Sequence, residues 1–161
     1  MTKRAASRAP GASRKSSGGD RLEIRDWMTT GVKTVKPQDT VAHARHVLEE
    51  HRINQLPVTM RGMLVGIVTD RDLRDATEAM ALSAGDSRAE ASPRAFRPNN
   101  IAIESVMTSN ALVLAPGDTM RRAAEMMRRE RVGAIPIVER GRLVGIITRS
   151  DILDVFMHLV G

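Results

Sequence analysis

Apolar residues follow the same order in both halves of the chain. Apolar positions at helical spacing come first, then two short apolar runs, then helical spacing again. In the second half the helical stripe is Met120, Ala123 and Met127, with charged residues on the other face. The paired runs are 56–58 and 64–68 in the first half, and 135–138 and 143–147 in the second. Each half is therefore predicted to form a helix, a strand pair and a second helix.

Turn and cap residues mark the same boundaries in both halves. Asp-Thr at 39–40 and 118–119 is an N-cap signal. Arg-Gly at 61–62 and 140–141 separates the apolar runs, and the glycine can supply the positive φ of a tight hairpin.

The two halves are an internal repeat. Residues 22–75 align with 101–154 without a gap, and 18 of 54 positions are identical, where chance gives about three. With a short strand before each repeat's proline, at 34–35 and 113–114, the order in each unit is β-α-β-β-α. Because a unit of this size has a marginal core by itself, we expect the two units to share one core. The fold class is thus α+β, two β-α-β-β-α repeats packed as a pseudo-two-fold pair.

Polar segments give the predicted domain boundaries. Residues 1–19 are rich in Ser, Ala, Gly and Arg and are expected to be a disordered basic tail. Residues 20–78 form the first repeat and 101–161 the second. Residues 79–100 are read as a linker, because glycine and prolines interrupt any regular element there.

The charge of the chain resides in the tail. The net charge is +6, but the tail has five basic residues and no acid, which leaves 20 basic and 19 acidic residues elsewhere. Nucleic-acid binding through the tail is therefore a minor alternative, and an aromatic content of 2% argues against base stacking.

The chain contains no cysteine, which excludes disulfides and zinc–thiolate sites. Without a membrane-length apolar run or a secretory signal, we expect a cytoplasmic protein with no membrane partner.

The repeated motifs resemble the cystathionine-β-synthase (CBS) domain, which occurs as tandem pairs. The matching motifs are Trp27-Met-Thr and Val106-Met-Thr, Pro-x-Asp-Thr, and the Gly-x-Leu-Val-Gly-Ile-x-Thr-x-x-Asp runs that begin at Gly62 and Gly141. They cover residues 22 to about 158. The resemblance implies a stand-alone Bateman module that binds AMP, ADP, ATP, S-adenosylmethionine or another adenosyl ligand without a fixed cofactor. It also implies a homodimer that signals to a regulated protein partner in trans.

Residues where strand meets helix are candidates for ligand binding. A Thr hydroxyl caps the helix there, and its first turn presents N–H groups beside the positive end of the helix dipole, which suits phosphate. The carboxylates of Asp72 and Asp151 are placed to accept ribose hydroxyls, and Arg71 and Arg149 lie near the phosphates. Neighbouring apolar strands are candidates for flanking adenine. The full candidate set is Thr69, Arg71, Asp72, Thr148, Arg149, Ser150, Asp151, Leu56, Pro57, Val58, Ile135, Pro136 and Ile137.

A structural role competes with binding at both Thr-x-x-Asp motifs. Ser/Thr-x-x-Glu is the capping box, and Thr69-x-x-Asp72 fits that device as well. The resemblance favours binding, because this Asp holds ribose in CBS pairs with adenosyl ligands. We predict a phosphorylated ligand at Thr148–Asp151, which offers Arg149 and Ser150. The first motif has an extra carboxylate, Asp70, so we expect it either to bind more weakly or to accept a less charged adenosyl compound.

Other functions have less support in the sequence. His43, His46 and Glu50 are spaced for a metal, but they lie on a polar helix face, so no metal site is predicted. No nucleophile–base constellation stands out, so an enzyme is not expected. The leading hypothesis is a regulatory, energy-sensing module for adenine nucleotides. A ligand-free protein-interaction adaptor is the main alternative.

Overall fold

The computed structural model describes residues 22–85 and 101–161 of the 161-residue chain. The predicted basic tail and residues 86–100 of the predicted linker lie outside this part. The first repeat contains α1 (Val41–His51), β1 (Gln55–Met60), β2 (Met63–Thr69) and α2 (Asp70–Gly85). The second contains α3 (Met120–Glu130), β3 (Ala134–Glu139), β4 (Arg142–Thr148) and α4 (Arg149–Val160). The predicted helix–hairpin–helix order is confirmed in both, and α2 extends seven residues past the predicted boundary at residue 78.

The four strands form one sheet in the order β1-β2-β4-β3. Each hairpin is antiparallel, and the hairpins meet at the centre, where Met63 pairs with Arg142. Both turn residues have positive φ, 52° at Arg61 and 80° at Gly62, with nearly the same values in the second hairpin. Positive φ at both residues is the geometry of a type I′ turn, so the sequence pattern identified the glycine but missed the arginine. The predicted strands at 34–35 and 113–114 are reduced to single parallel bridges, from Val35 and Leu114.

Threonines cap the first helix of each repeat, as predicted. The Thr40 side chain accepts from the His43 amide at 3.1 Å, and that of Thr119 from the Arg122 amide at 3.2 Å. The aspartate before each threonine accepts a hydrogen bond from the loop that precedes the helix. Asp39 Oδ2 accepts from the Lys36 amide, and Asp118 Oδ2 accepts from the Ala115 amide, both at 2.7 Å. The Asp-Thr pair thus fixes the loop and the helix start together.

The segment that leads into each repeat packs on the other repeat. The Ile24 amide donates to the Asp118 carbonyl at 2.9 Å, and the Ile103 amide to the Asp39 carbonyl at 2.8 Å. Farther along, Thr29 exchanges two backbone hydrogen bonds with Ile146, of 2.9 and 3.0 Å. Thr108 pairs with Ile67 in the same way. The two repeats are therefore joined by reciprocal exchange of their leading segments.

Two hydrophobic cores result from this exchange. One core combines first-repeat side chains with Ile101 and Ile103, and the other combines second-repeat side chains with Ile24. The expectation of one shared core is wrong. Each repeat has a hydrophobic core of its own, and that core is enlarged by apolar residues from the leading segment of the other repeat.

Candidate functional site

An open cleft of about 440 Å³ lies between the two repeats, at the end of β2. The first repeat contributes Thr69, Arg71 and Asp72, three of the predicted site residues. The second repeat supplies the opposite wall, from the loop at 110–112 and the segment 130–134 that joins α3 to β3. The paired backbones of Ile67 and Thr108 bring these walls together.

Asp72 is held by a reciprocal capping arrangement. Its Oδ2 accepts from the amide and the hydroxyl of Thr69, both at 2.8 Å, and the Asp72 amide donates back to Thr69 Oγ1 at 3.2 Å. The structural role weighed from the sequence is thus present. It uses only one carboxylate oxygen, so Oδ1 of this half-buried residue takes no part in the cap. A carboxylate oxygen has lone pairs for further donors.

The first turn of α2 offers fewer free donors than the sequence suggested. The Asp70 amide donates to the Asn54 carbonyl at 2.8 Å, and the Asp72 amide is used by Thr69. The Arg149 amide of the second repeat likewise donates to the Gly133 carbonyl at 3.1 Å. Fewer first-turn N–H groups are therefore left for an anion than the sequence suggested, because the chain itself uses two of them at each helix start. Anion binding at these positions stays a prediction.

Charges in the cleft are balanced. The cations are Arg71 and Arg131, and the anions are Asp72 and Glu130. Arg71 pairs with Asp75 at 3.7 Å, but the pair is exposed and one turn apart on the helix, so it holds the guanidinium only weakly. Arg131 is the left-handed residue that ends α3, with φ 57° and ψ 34°. The site thus provides cations for an anion but no large positive excess.

The corresponding residues of the second repeat do not line this cleft. Thr148 and Asp151 repeat the capping bonds at 2.8 Å, and Asp151 is only 8% exposed. Arg149 lines a separate groove, on the outer side of the α3–α4 pair. Ser150 is exposed. The structure therefore places the two Thr-x-x-Asp motifs in different surroundings, with the first in the cleft wall and the second outside it, and the predicted phosphorylated ligand at Thr148–Asp151 stays a prediction.

The apolar strand residues predicted to flank adenine lie mostly in the cores. Five of the six have fully buried side chains and take no part in the cleft wall: Leu56, Pro57, Val58, Ile135 and Ile137. Pro136 does line the cleft. The reason is strand alternation together with the exchanged segments, which leaves little of β1 or β3 exposed.

Residues from the exchanged part of the fold were missed by the sequence reasoning. Asn110, Ala111 and Leu112 reach the cleft because the preceding Met-Thr motif pairs with β2 of the other repeat. The Met-Thr motif was visible in the sequence, but its partner strand was not, since no local pattern specifies that exchange.

Neither a metal site nor a membrane span occurs in the described residues. Within 22–85 and 101–161 no group of three or more His, Asp or Glu side chains is arranged to hold a metal ion. His43, His46 and Glu50 are exposed, with His46 Nε2 3.9 Å from Glu50 Oε2. No helix in this part of the chain has the length and apolarity needed to cross a bilayer.

Known proteins share this arrangement. The CBS domain family model matches residues 24–79 and 103–158. The CBS domain-containing protein YhcV of Bacillus subtilis is 28% identical over 129 residues, which covers 80% of this chain and 81% of YhcV.

Two solved structures are similar over nearly their whole length. CBSX2 of Arabidopsis thaliana in complex with AMP has a TM-score of 0.69 and 26% identity, covering 86% of this chain and 98% of CBSX2. The CBS domain pair of MJ0100, with 5′-methylthioadenosine and S-adenosyl-L-methionine, has a TM-score of 0.67 and 25% identity. That match covers 87% of this chain and 99% of MJ0100. With two matched domains over most of its length and the exchanged pair in its fold, the chain belongs to the CBS domain family.

Proposed function

We propose that the chain is a regulatory module that binds an adenosyl ligand in the cleft at Thr69, Arg71 and Asp72. The observation that carries this proposal is their convergence on one open cleft, opposite a wall from the second repeat that combines apolar residues with Glu130 and Arg131. Its volume of about 440 Å³ lies within the ~300–1,000 Å³ typical of small-molecule sites. Related CBS pairs bind AMP or S-adenosylmethionine, which supports the ligand class.

Each part of an adenosyl ligand has a matching group in the cleft. The Oδ1 atom of Asp72 is suited to the ribose hydroxyls, since Oδ2 is used by the cap. Ile67, Val132 and Pro136 provide apolar surface for a flat base. Ribose recognition at a carboxylate that is already fixed by two hydrogen bonds loses little side-chain entropy on binding.

Charge balance favours a ligand with few negative charges. Two arginines and two acids line the cleft, so a triphosphate gains less here than in a strongly cationic site. We therefore infer AMP or an uncharged adenosyl compound as the preferred ligand of the first-repeat site. A phosphorylated ligand at Thr148–Asp151 stays a separate prediction.

Arg131 offers a route from ligand to protein surface. This residue lines the cleft and also the outer groove between α3 and α4 that contains Arg149. A ligand phosphate that attracts its guanidinium changes the charge of the outer groove, and linkage makes that coupling reciprocal. We infer that ligand occupancy is read at this surface, by a second copy in a homodimer or by a regulated protein partner.

Ligand titration with matched variants tests the proposal. AMP, ADP, ATP, adenosine and S-adenosylmethionine are titrated by calorimetry against the wild type, Asp72→Asn and Asp151→Asn. We expect binding of at least one ligand, weakened at least tenfold by Asp72→Asn and less than threefold by Asp151→Asn. No binding by any of the five removes the proposal.

A ligand-free adaptor is the second candidate. The observation in its favour is that both Thr-x-x-Asp motifs are satisfied as helix caps without any ligand. In that case Asp72→Asn and Asp151→Asn lower stability to a similar extent and alter no small-molecule affinity. The same titration therefore separates the two candidates.

A further inference from the structure

Arginine occupies every non-glycine position with left-handed backbone in the described part of the chain. Two of these arginines, Arg52 and Arg131, end helices. The other two, Arg61 and Arg140, have φ of 52° and 51° and are the first residues of the two hairpin turns. Type I′ turns favour asparagine, aspartate or glycine there, because a long side chain strains a positive φ. Both repeats thus have an unfavourable residue at the same turn position, which indicates that the guanidinium group itself is needed there.

The two hairpin turns lie side by side at the centre of the sheet. Strands β2 and β4 pair at their first residues, Met63 and Arg142. Each hairpin also donates one backbone hydrogen bond of 3.1 Å to the glycine carbonyl of the other turn. Because Arg61 and Arg140 directly precede these glycines, strand pairing between the repeats brings both turn arginines to the same end of the sheet.

A third arginine extends into the same region. The guanidinium of Arg142 covers the open face of Gly62, where its Cζ would lie 3.1 Å from an added Cβ. The acid at the turns is Glu139, the cross-strand neighbour of Arg142. Within residues 22–85 and 101–161, Arg61, Arg140 and Arg142 form no ion pair. Three exposed arginines and one exposed glutamate therefore give the paired turns a net charge of +2.

Two methionines lie beside these cations. Met60 and Met63 face each other across the first hairpin and are 45% and 40% exposed. The methyl group of Met63 lies against Gly141, so this side chain contacts both turns. Methionine adapts its shape to a partner and is frequent at protein-binding surfaces. We refer to the following five residues as the turn-pair surface: Met60, Arg61, Met63, Arg140 and Arg142.

We propose that the turn-pair surface binds an acidic segment of a partner protein, with carboxylates on the arginines and an apolar side chain on the methionines. The planar fork of arginine matches a carboxylate bidentately, which a lysine does not. Nucleic acid would also bring anions to the arginines, but the surface has no aromatic side chain for base stacking, and its methionines would gain little from a sugar-phosphate backbone.

This surface is separate from the inter-repeat cleft. Strand β2 begins at the turn-pair surface with Met63 and reaches the cleft with its seventh residue, Thr69. At the usual rise of a strand the two ends are roughly 20 Å apart. The proposal therefore goes beyond the proposed function and does not depend on adenosyl binding.

Binding of a defined acidic peptide tests the proposal. The probe is a fluorescein-labelled peptide, Glu-Glu-Leu-Glu-Glu-Met-Glu-Glu, and the peptide control has glutamine in place of every glutamate. Anisotropy titrations use the full chain. We expect the acidic peptide to bind the wild type and the glutamine peptide to bind at least tenfold more weakly. No binding of the acidic peptide, or equal binding of both peptides, overturns the proposal.

Asparagine variants assign the binding to the turns. Arg61→Asn and Arg140→Asn each remove one charge but suit the type I′ turn, and we expect each to weaken the acidic peptide at least fivefold. Arg52→Asn is the matched control, because it removes the same charge from the same backbone conformation at the end of α1, and it should change the affinity less than twofold. The basic tail is present in every variant, so its contribution cancels in this comparison. Equal loss in Arg52→Asn overturns the proposal.

Two further measurements exclude other roles for the turn arginines. Both turn variants should melt at the same temperature as the wild type or higher; a lower melting temperature with unchanged peptide affinity means that the arginines serve the fold and overturns the proposal. A labelled oligothymidylate of the same length provides the other polyanion. If it binds at least as tightly as the acidic peptide and loses affinity in the same two variants, the surface is assigned to nucleic acid and the proposal is overturned.

Discussion

The two repeats share a scaffold but differ in what they expose. The first repeat presents Thr69, Arg71 and Asp72 to the inter-repeat cleft, and its last helix has Arg74, Thr77 and Glu78 where α4 has Leu153, Phe156 and Met157. The second repeat has a nearly buried Asp151 and an apolar outer face on α4. Positions that set turns, caps and close backbone contacts are the same in both. The comparison teaches that the residues that set turns, caps and close contacts are shared by the two copies, whereas the residues that line the cleft and those exposed on the last helix differ between them.

The repeats are nevertheless mutually dependent, because each core contains residues from the other repeat's leading segment. We predict that Ile24→Ala destabilises the protein by about 2–5 kcal/mol, since it leaves a cavity at a fully buried position. The first loss of amide protection in hydrogen exchange should occur in α3, β3 and β4, although residue 24 precedes the first repeat. Ile103→Ala is the matched control and should expose α1, β1 and β2 first. Loss of protection in the repeat nearest in sequence contradicts the exchange.

The next largest expected loss of stability follows from substituting the glycines that lie in close contact with the exchanged segments. A Cβ at Gly66 would lie 2.7 Å from Met107 Sδ and 2.9 Å from the Thr108 carbonyl oxygen. One at Gly145 would lie 2.5 Å from Met28 Sδ and 3.0 Å from the Thr29 carbonyl oxygen. Because a backbone atom is involved, the contact cannot be relieved by a rotamer change. We predict that Gly66→Ala and Gly145→Ala each lower the free energy of unfolding by about 1–3 kcal/mol in urea titrations.

Gly133→Ala is the control for the two glycine variants. The nearest atom to its added Cβ is a Gln55 side-chain oxygen at 3.6 Å, an ordinary contact. Its stability should therefore stay within ~0.5 kcal/mol of the wild type. A change at Gly133 equal to that at Gly66 would mean that glycine is required for its backbone freedom rather than for space.

Local features of this fold were predictable from sequence, and long-range ones were not. The caps at Thr40 and Thr119 and the glycines of both hairpins follow from residue type at a fixed spacing. The exchange of leading segments brings residues from 41 positions apart (Ile67 and Thr108) to 117 positions apart (Thr29 and Ile146) into contact, and no local periodicity encodes it. That exchange is also why Leu56 and Ile135 are core residues rather than cleft residues.

The candidate site was predicted only in part, because one of its walls depends on local sequence and the other on long-range contacts. Thr69, Arg71 and Asp72 were found because strand end, cap and first turn are adjacent in sequence. The opposite wall, including Ala111 and Val132, comes from the other repeat and needed the three-dimensional structure. Burial likewise distinguishes Asp72 from Asp151, although their motifs look alike.

Unfolding measurements with and without ligand can distinguish the roles of Asp72 and Asp151. Both carboxylates cap their helix with two bonds of 2.8 Å, so Asp72→Ala and Asp151→Ala should each cost about 0.5–2 kcal/mol in thermal or urea unfolding. Saturating AMP should raise the melting temperature of Asp151→Ala as much as that of the wild type, and that of Asp72→Ala much less. Equal loss of the AMP-induced shift in both variants would mean that both motifs bind ligand, as the sequence alone allowed.

The smallest expected effect concerns the two arginines that end α1 and α3. Arg52 and Arg131 both adopt the left-handed conformation, with φ of 53° and 57°. Glycine accepts this conformation without Cβ strain, so Arg52→Gly and Arg131→Gly should each stabilise the fold by up to ~1 kcal/mol in urea unfolding. Only Arg131 lines the cleft and the outer groove of α3–α4, so only Arg131→Gly should weaken AMP, by about threefold to tenfold in calorimetry. Adenosine has no phosphate and should bind both variants equally well. If Arg131→Gly weakens adenosine and AMP to the same extent, its guanidinium does not act on the phosphate, and the proposed route from the cleft to the α3–α4 surface loses its charge-based mechanism.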